Sequence, residues 1–273
     1  MTRAAVESPA LEAWTRRRRR ARQLLERHSF AAQLLQLYSA LLDVQERAFL
    51  AALNDPPPAA TLAHHVSRHV LRDVADATFA AGPPALADAV RARLREGDPT
   101  GLVSAWLAGA AQPPVDRYLA RAATSPLLEA LGPAAAGACT GPEREEHAED
   151  RRCPRCGGLP QVSSLTESGE ALVSGPRMLL CCRCGDSWIH QRMTCAGCGE
   201  QTTAKLPIFA DAERLPHLRA DACQTCHRYV ITVDLRREPE AVPVVDELVA
   251  LPLDLYVQER GFAKIVPNLM AIG

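Results

Sequence analysis

Eight of the ten cysteines in this 273-residue chain form four Cys-x-x-Cys pairs, and the pairs are regularly spaced. They are Cys153/Cys156, Cys181/Cys184, Cys195/Cys198 and Cys223/Cys226. Twenty-four residues separate the first pair from the second, and 24 again separate the third from the fourth, with ten between the two units. A Cys-x-x-Cys turn presents two sulfurs on one side of a tight loop, and two such loops complete a tetrahedron. The spacing therefore points to a duplicated unit in which each copy closes one tetrathiolate site. A thioredoxin-like dithiol carries one such pair in a βαβ context, and four evenly spaced pairs do not fit it. Tetrahedral sulfur suits zinc or a single iron equally.

Stable disulfides are the other use of paired cysteines, and they need an oxidising compartment. The basic run Arg16–Arg20 is followed by Ala-Arg-Gln-Leu-Leu-Glu-Arg and lacks the apolar stretch of a signal peptide. The longest uncharged apolar run, from Gly101 to Ala111, is far short of the roughly 18 residues that a membrane span requires. A cytoplasmic protein with no membrane insertion is expected, and there metal is the better use of the thiols. Glycine follows the second cysteine in three loops (Gly157, Gly185, Gly199), where positive φ is needed to turn backbone N–H groups toward sulfur. His227 holds that place in the fourth loop and reads as structural instead of as a ligand. Cys139 and Cys182 fall outside the pairs and read as spare thiols.

The rest of the chain divides around the cysteines. Residues 1–131 carry apolar positions at helical spacing, among them Leu24, Ala31 and Tyr38, with Leu35, Leu42 and Phe49. The predicted helices are Trp14 to Leu53 (one helix or a pair), Leu62 through Val74 to Gly82, Pro84–Glu96, Leu102–Ala111, Val115–Ala123 and Pro126–Leu131. Short Gly- and Pro-marked connections between them imply an antiparallel bundle. Residues 132–150 read as a linker, 151–194 and 195–242 as the two four-cysteine metal modules, and 243–273 as a C-terminal helix and tail. Strands are predicted at Gln161–Leu165, Met178–Cys182, Lys205–Phe209 and Tyr229–Leu235. A final helix runs from Val244 toward Arg260, with Pro252 as a kink or break. The expected class is α+β in two parts: an all-α bundle, then two small rubredoxin-like or zinc-ribbon-like modules and a terminal helix.

Other candidate sites are weaker. His65, His69 and Asp73 share a helix face, but nothing supplies a further ligand, and a solvated face explains them. Arg16–Arg20 reads either as a contact for nucleic acid or another anionic partner or, at least as well, as a frayed, solvated helix start. Residues 140–273 hold 15 Lys and Arg against 19 Asp and Glu. Two tetrathiolate centres with divalent metals would lower that balance to about −8, the wrong sign for a phosphate backbone. Arg155, Arg183, Arg192 and Arg228 read as local neutralisers of the thiolates, and no nucleic-acid partner is expected. No phosphate loop, His-Glu-x-x-His or Gly-x-Ser-x-Gly motif is present, so no catalytic residue is assigned and no enzyme is expected.

At these residues the chain resembles the formate dehydrogenase accessory proteins of the FdhE type. The carrying stretches are Cys153-Pro-Arg-Cys-Gly-Gly-Leu-Pro160, Leu180-Cys-Cys-Arg-Cys-Gly-Asp-Ser-Trp188, Arg192-Met-Thr-Cys-Ala-Gly-Cys198 and Ala222-Cys-Gln-Thr-Cys-His-Arg-Tyr229. Asp246-Glu-Leu-Val-Ala-Leu251, Asp254 and Glu259-Arg-Gly-Phe262 continue the likeness, as does Phe30 to Phe49. Thr232, in place of an expected lysine, and the order Pro267-Asn-Leu-Met depart from the pattern. The resemblance implies a cytoplasmic maturation factor that binds the catalytic subunit of a respiratory formate dehydrogenase before export. It also implies rubredoxin-like modules able to hold iron, the eight paired cysteines being the ligands. Electron transfer through tetrathiolate iron is the alternative reading. The oligomeric state is not legible.

Overall fold

The computed structural model describes residues 3–140, 151–167 and 175–269, with only the backbone for 3–10. Seven helices come first: α1 (Arg3–Arg27), α2 (Ala32–Asn54), α3 (Leu62–His69), α4 (Leu71–Ala81), α5 (Pro84–Arg95), α6 (Thr100–Ala108) and α7 (Pro114–Leu131). The predicted bundle is present, and several boundaries differ from the periodicity. The helix from Trp14 onward begins earlier and is a pair, broken by a 3₁₀ turn at Ser29–Ala31. The segment Leu62 to Gly82 splits at Val70. Residues 114–131 are one helix with Pro126 inside it, because Ser125 and its neighbours stay helical up to the proline. Of the predicted linker, Gly132–Ala138 forms a 3₁₀ turn that buries Ala135 and Ala138; residues 141–150 lie outside the described residues.

The cysteine half builds one sheet. Its strands are β1 (Pro160–Leu165), β2 (Arg177–Cys181), β3 (Ser187–His190), β4 (Ile208–Ala210), β5 (Leu218–Cys223), β6 (Arg228–Asp234) and β7 (Ala263–Lys264). The order is β3-β2-β1-β6-β5-β4, with β7 beside β6. Each cysteine unit contributes an antiparallel three-stranded meander, and the two meanders join where β1 runs parallel to β6. The sheet is open, so the strands of both units share one layer instead of closing into two separate ribbons. β3, β5 and β7 are not among the predicted strands. In β5 the sequence Leu-Arg-Ala-Asp-Ala-Cys has weak β propensity, and its charges are absorbed by neighbours on the sheet. The terminal helix is two pieces, α8 (Pro243–Asp246) and α9 (Leu251–Gln258), with a 3₁₀ turn between them and Pro252 in the first turn of α9. No described helix is long and apolar enough to cross a membrane.

Helices and sheet share one continuous buried apolar cluster, from Trp14 through Tyr118 and Leu179 to Val266. Charges are buried along the same seam. Arg20, inside α1, donates to Asp246 of α8 at 2.6 and 3.0 Å, and His217 meets the same carboxylate at 2.8 Å. Arg17 forks onto Glu129 of α7 at 3.0 Å, Arg19 pairs with Glu240 at 2.8 Å, and Arg18 pairs with Asp43 and Glu46. The arginine run is thus a set of tertiary tethers, which corrects the expectation of a solvated helix start. Burial pushes the Asp246 carboxyl up, but the hydrogen bonds from His217 and Arg20 outweigh it and hold the group below its usual range. That contribution to stability is present at neutral pH and is lost as the pH falls through the lowered value.

Lys264 of β7 is fully buried between Glu247 at 2.9 Å and Asp254 at 3.0 Å. Tyr229 donates to Asp254 at 2.8 Å, and Gln161 of β1 donates to Glu247. Burial raises Asp254, and Glu247 adds to that against Lys264. Removing one partner of a buried ion pair leaves an uncompensated charge, which typically costs about 3–5 kcal/mol. Lys264→Met is therefore expected to lower unfolding free energy by about that much at neutral pH, measured by denaturant titration. The deficit should shrink as the pH is lowered, because Asp254, already raised, takes up a proton in the variant. A deficit that is constant with pH would show that the lysine acts through packing alone.

Candidate metal centres

The four-loop arrangement rests on backbone turns that repeat. In the first loop Cys153 N–H donates to Gly158 O and Gly157 N–H to Cys153 O, both at 2.9 Å. In the third, Cys195 N–H donates to Glu200 O and Gly199 N–H to Cys195 O, again at 2.9 Å. The second and fourth loops cap hairpins: Cys181 ends β2, and Cys223 ends β5. Each unit thus sets a loop that precedes its first strand against the turn after its second. The residue after the second cysteine is left-handed in all four loops, with φ of 71° at Gly157, 68° at Gly185, 82° at Gly199 and 53° at His227. His227 therefore does the turning work of the missing glycine, at the strain a side chain carries in that region.

The loops bring the eight paired sulfurs into two clusters. Cys153, Cys156, Cys181 and Cys184 form one, and Cys195, Cys198, Cys223 and Cys226 the other, with all four sulfurs of each within 4.8 Å of one another. The contacts are 3.6 Å for Cys153–Cys184, 3.3 Å for Cys156–Cys181, 3.7 Å for Cys195–Cys226 and 3.6 Å for Cys198–Cys223. Four sulfurs about 2.3 Å from one ion lie about 3.8 Å apart, so the donor set fits a single tetrahedral zinc or iron. Backbone N–H groups point at sulfur, from Arg183 to Cys181 and from Gly197 to Cys195, each at 3.3 Å. The two clusters differ in setting. All four cysteines of the first are buried, whereas Cys198 and Cys226 of the second are half-buried. Burial pushes the Cys195 thiol up to about 11, so a metal binding there must displace that proton.

The unpaired thiols are not remote. Cys139, at the end of the helical half, hydrogen-bonds to Cys156, an interaction that raises its own pKa. Cys182 is buried; its hydrogen bond with Cys181 lowers it to about 7 against burial, helped by Arg121 and Arg183. Neither joins a four-sulfur cluster. Arg155 pairs with Asp186 at 2.9 Å, and Arg183 lies over Trp106 of α6, which places the first centre against the bundle. His65 and His69 stack at 4.9 Å, and Asp73 pairs with Arg47 at 3.6 Å; among the described residues they join no metal-holding group. The buried charges Arg121, Glu247, Asp254 and Lys264 had no spacing signal, because their partners lie far away in the chain.

Gly158 lines the first cluster so closely that a Cβ there would come 2.6 Å from Cys181 Sγ and 3.3 Å from Cys156 Sγ. Gly158→Ala is expected to disable the first centre and spare the second. Cobalt(II) titration followed by its thiolate absorption should show the endpoint fall from two equivalents to one; two unchanged equivalents would contradict the tetrahedral packing.

Residues 193–271 match the family model described as FdhE, C-terminal domain. Among curated relatives, the chain is 34% identical over 118 residues to a protein FdhE homolog of Aquifex aeolicus, covering 43% of this chain and 41% of that one. It is 34% identical over 130 residues to a homolog from Serratia proteamaculans, covering 47% and 40%. It is 31% identical over 125 residues to protein FdhE of Escherichia coli O127:H6, covering 45% and 39%. The matched stretch spans about two fifths of these relatives' own length. The crystal structure of the FdhE protein from Pseudomonas aeruginosa superposes with a TM-score of 0.65 at 24% identity, covering 95% of each chain, and so shares the fold.

Proposed function

From the premise that this chain matches the FdhE family, we propose that it is a non-catalytic accessory factor in the maturation of a respiratory formate dehydrogenase. In this reading it binds the enzyme's catalytic subunit in the cytoplasm before export. The observation that carries the proposal is the pair of four-sulfur clusters, the second of which lies within the residues 193–271 matched by that family's C-terminal domain. Residues 151–194 supply Cys153, Cys156, Cys181 and Cys184 as ligands of one metal, and residues 195–242 supply Cys195, Cys198, Cys223 and Cys226 as ligands of the other.

A bound zinc or iron supplies a four-way cross-link at each site. The chain's own residues do the rest. The knuckle loops orient the sulfurs, and backbone N–H groups from Arg183 and Gly197 offset their charge. The first centre, packed between Trp106 and the sheet, couples the metal to the bundle. A surface assembled from both halves then depends on the metal being in place. The half-buried Cys198 and Cys226 favour one second reading, rubredoxin-like electron transfer at the second centre. Full activity with redox-inert zinc at both sites would exclude it.

Tagged protein purified anaerobically from its own cell is expected to carry a molybdenum- or tungsten-type formate dehydrogenase subunit, identified by mass spectrometry. The Cys153→Ser/Cys156→Ser variant is expected to lose that subunit, and formate dehydrogenase activity in the same cell should drop at least tenfold. A variant that loses one metal yet keeps both would contradict the metal-dependent surface.

A further inference from the structure

One face of the sheet carries polar side chains on four strands: Ser163 on β1, Thr232 on β6 and Arg219 on β5 lie in register, with Arg177 on β2 and Asp221 on β5 each displaced by two residues. Arg177 is almost fully buried and spends its guanidinium on Ser163 Oγ at 2.8 Å, Thr194 O at 2.9 Å and Asp221 at 3.2 Å. Arg219 meets Asp221 at 2.9 Å, and Thr232 donates to it at 2.7 Å. Asp221 Oδ2 thus accepts from Arg177, Arg219 and Thr232, whereas the buried Oδ1 makes no hydrogen bond among the described residues. These groups floor a cavity of about 120 Å³ that opens beside β4 and the second centre.

A third arginine, Arg192, stands in the wall and donates to Gly175 O at 3.1 Å; among the described residues it makes no ion pair. Three guanidiniums thus face one carboxylate, in a chain whose net charge is −1. The buried Thr194 hydroxyl in the same wall has no hydrogen-bond partner among the described residues. The mouth is apolar. Met193 and Ile208 stand on either side, each about half exposed at 51%. Met193 holds a left-handed backbone, φ 58°, which a side chain of that size adopts only under constraint. β4 pairs with β5 alone among the described residues and leaves its outer edge open. An open strand edge beside a pocket is the geometry by which sheets take up extended peptides, with backbone bonds for affinity and a pocket for one side chain.

We propose that this pocket and the β4 edge dock an extended segment of a partner polypeptide. The segment sets a carboxylate against Arg192 and Arg219 and, two residues along on the same face of the strand, an apolar side chain between Met193 and Ile208. Charge complementarity selects the acidic group, and the volume admits one anchoring side chain. This deepens the accessory-factor reading by assigning a binding surface, and it rests on that reading for the partner's identity. The second metal centre, through Cys195 in the pocket wall, then sets the shape of the dock.

The test uses the metal-loaded full chain and two probes. The first is a fluorescein-labelled peptide of repeating Glu-Thr-Leu-Thr, which sets Glu and Leu on one face of an extended chain, compared with one of repeating Lys-Thr-Leu-Thr, read by fluorescence anisotropy. The second is the purified catalytic subunit of the cell's own formate dehydrogenase. Wild type is expected to bind the Glu peptide and not the Lys peptide. Arg192→Glu and Ile208→Ser should each weaken the Glu peptide and the subunit about tenfold or more, with two metals per chain retained. Arg192→Glu should in addition gain the Lys peptide. Retention of wild-type affinity in both variants would overturn the pocket. So would loss of metal in Arg192→Glu with peptide binding intact, which would make the arginines thiolate neutralisers only. A wild-type dimer that Ile208→Ser dissociates, with no peptide bound, would assign the face to a second copy and likewise overturn the proposal. If wild type binds the Glu peptide but not the subunit, the pocket stands and the accessory-factor reading falls. If the subunit binds wild type and both variants equally, the reverse holds.

Discussion

Four sulfurs crowded within 4.8 Å of one another are not a stable arrangement of thiolates. Like charges that close repel, and burial disfavours each charged form. A divalent metal would convert that repulsion into four bonds, and the proposed centres give the C-terminal half its organisation on that basis. Each centre ties a loop before a meander to the hairpin turn within it. The two meanders then need only the parallel β1–β6 pairing to become one sheet. Strand residues such as Val162, Leu179, Ile231 and Val233 are buried in the shared core, and metal-tied corners would add to that packing.

The second constraint is a seam of buried charge between helices and sheet. Arg20 to Asp246 and Arg121 to the carbonyl of Pro267 at 2.8 Å link segments remote in the chain, His217 joins the same Asp246, and Lys264 ties β7 to Glu247 and to Asp254 of α9. Such groups are costly to bury and more costly to leave unpaired, so they permit one docking of the halves and penalise others. The C-terminal segment contributes most of them. It seals one face of the sheet, while the opposite face keeps its own polar network around Arg177 and Asp221.

What was legible in the chain follows from the range of each interaction. The clusters could be read because Cys-x-x-Cys turns are local and their equal spacing betrays duplication. The glycine after three of the four pairs was equally local, but His227 read only as structural there, and its left-handed backbone came from the structure. Helix content was readable from apolar spacing, but the breaks at Ser29–Ala31 and Val70 were not, since no Gly or Pro marks them. Arg16–Arg20 looked like a solvated run because its acidic partners come from α2, α7, α8 and the segment before α8. β5 hid for the same reason: Arg219 and Asp221 make sense in a strand only once Arg177 and Thr232 stand beside them. Sequence periodicity reports local order, whereas these partners are set by tertiary contact.

The dependence of the sheet on its metals is the central claim, and hydrogen exchange before and after metal removal tests it directly. Purified protein should contain two metal ions per chain by elemental analysis. Stripping them with a thiol-reactive mercurial and chelator should abolish amide protection in β1, β2, β5 and β6 while α2, α4 and α7 keep theirs. A metal-free chain with an unchanged protection pattern in all four strands would contradict the account.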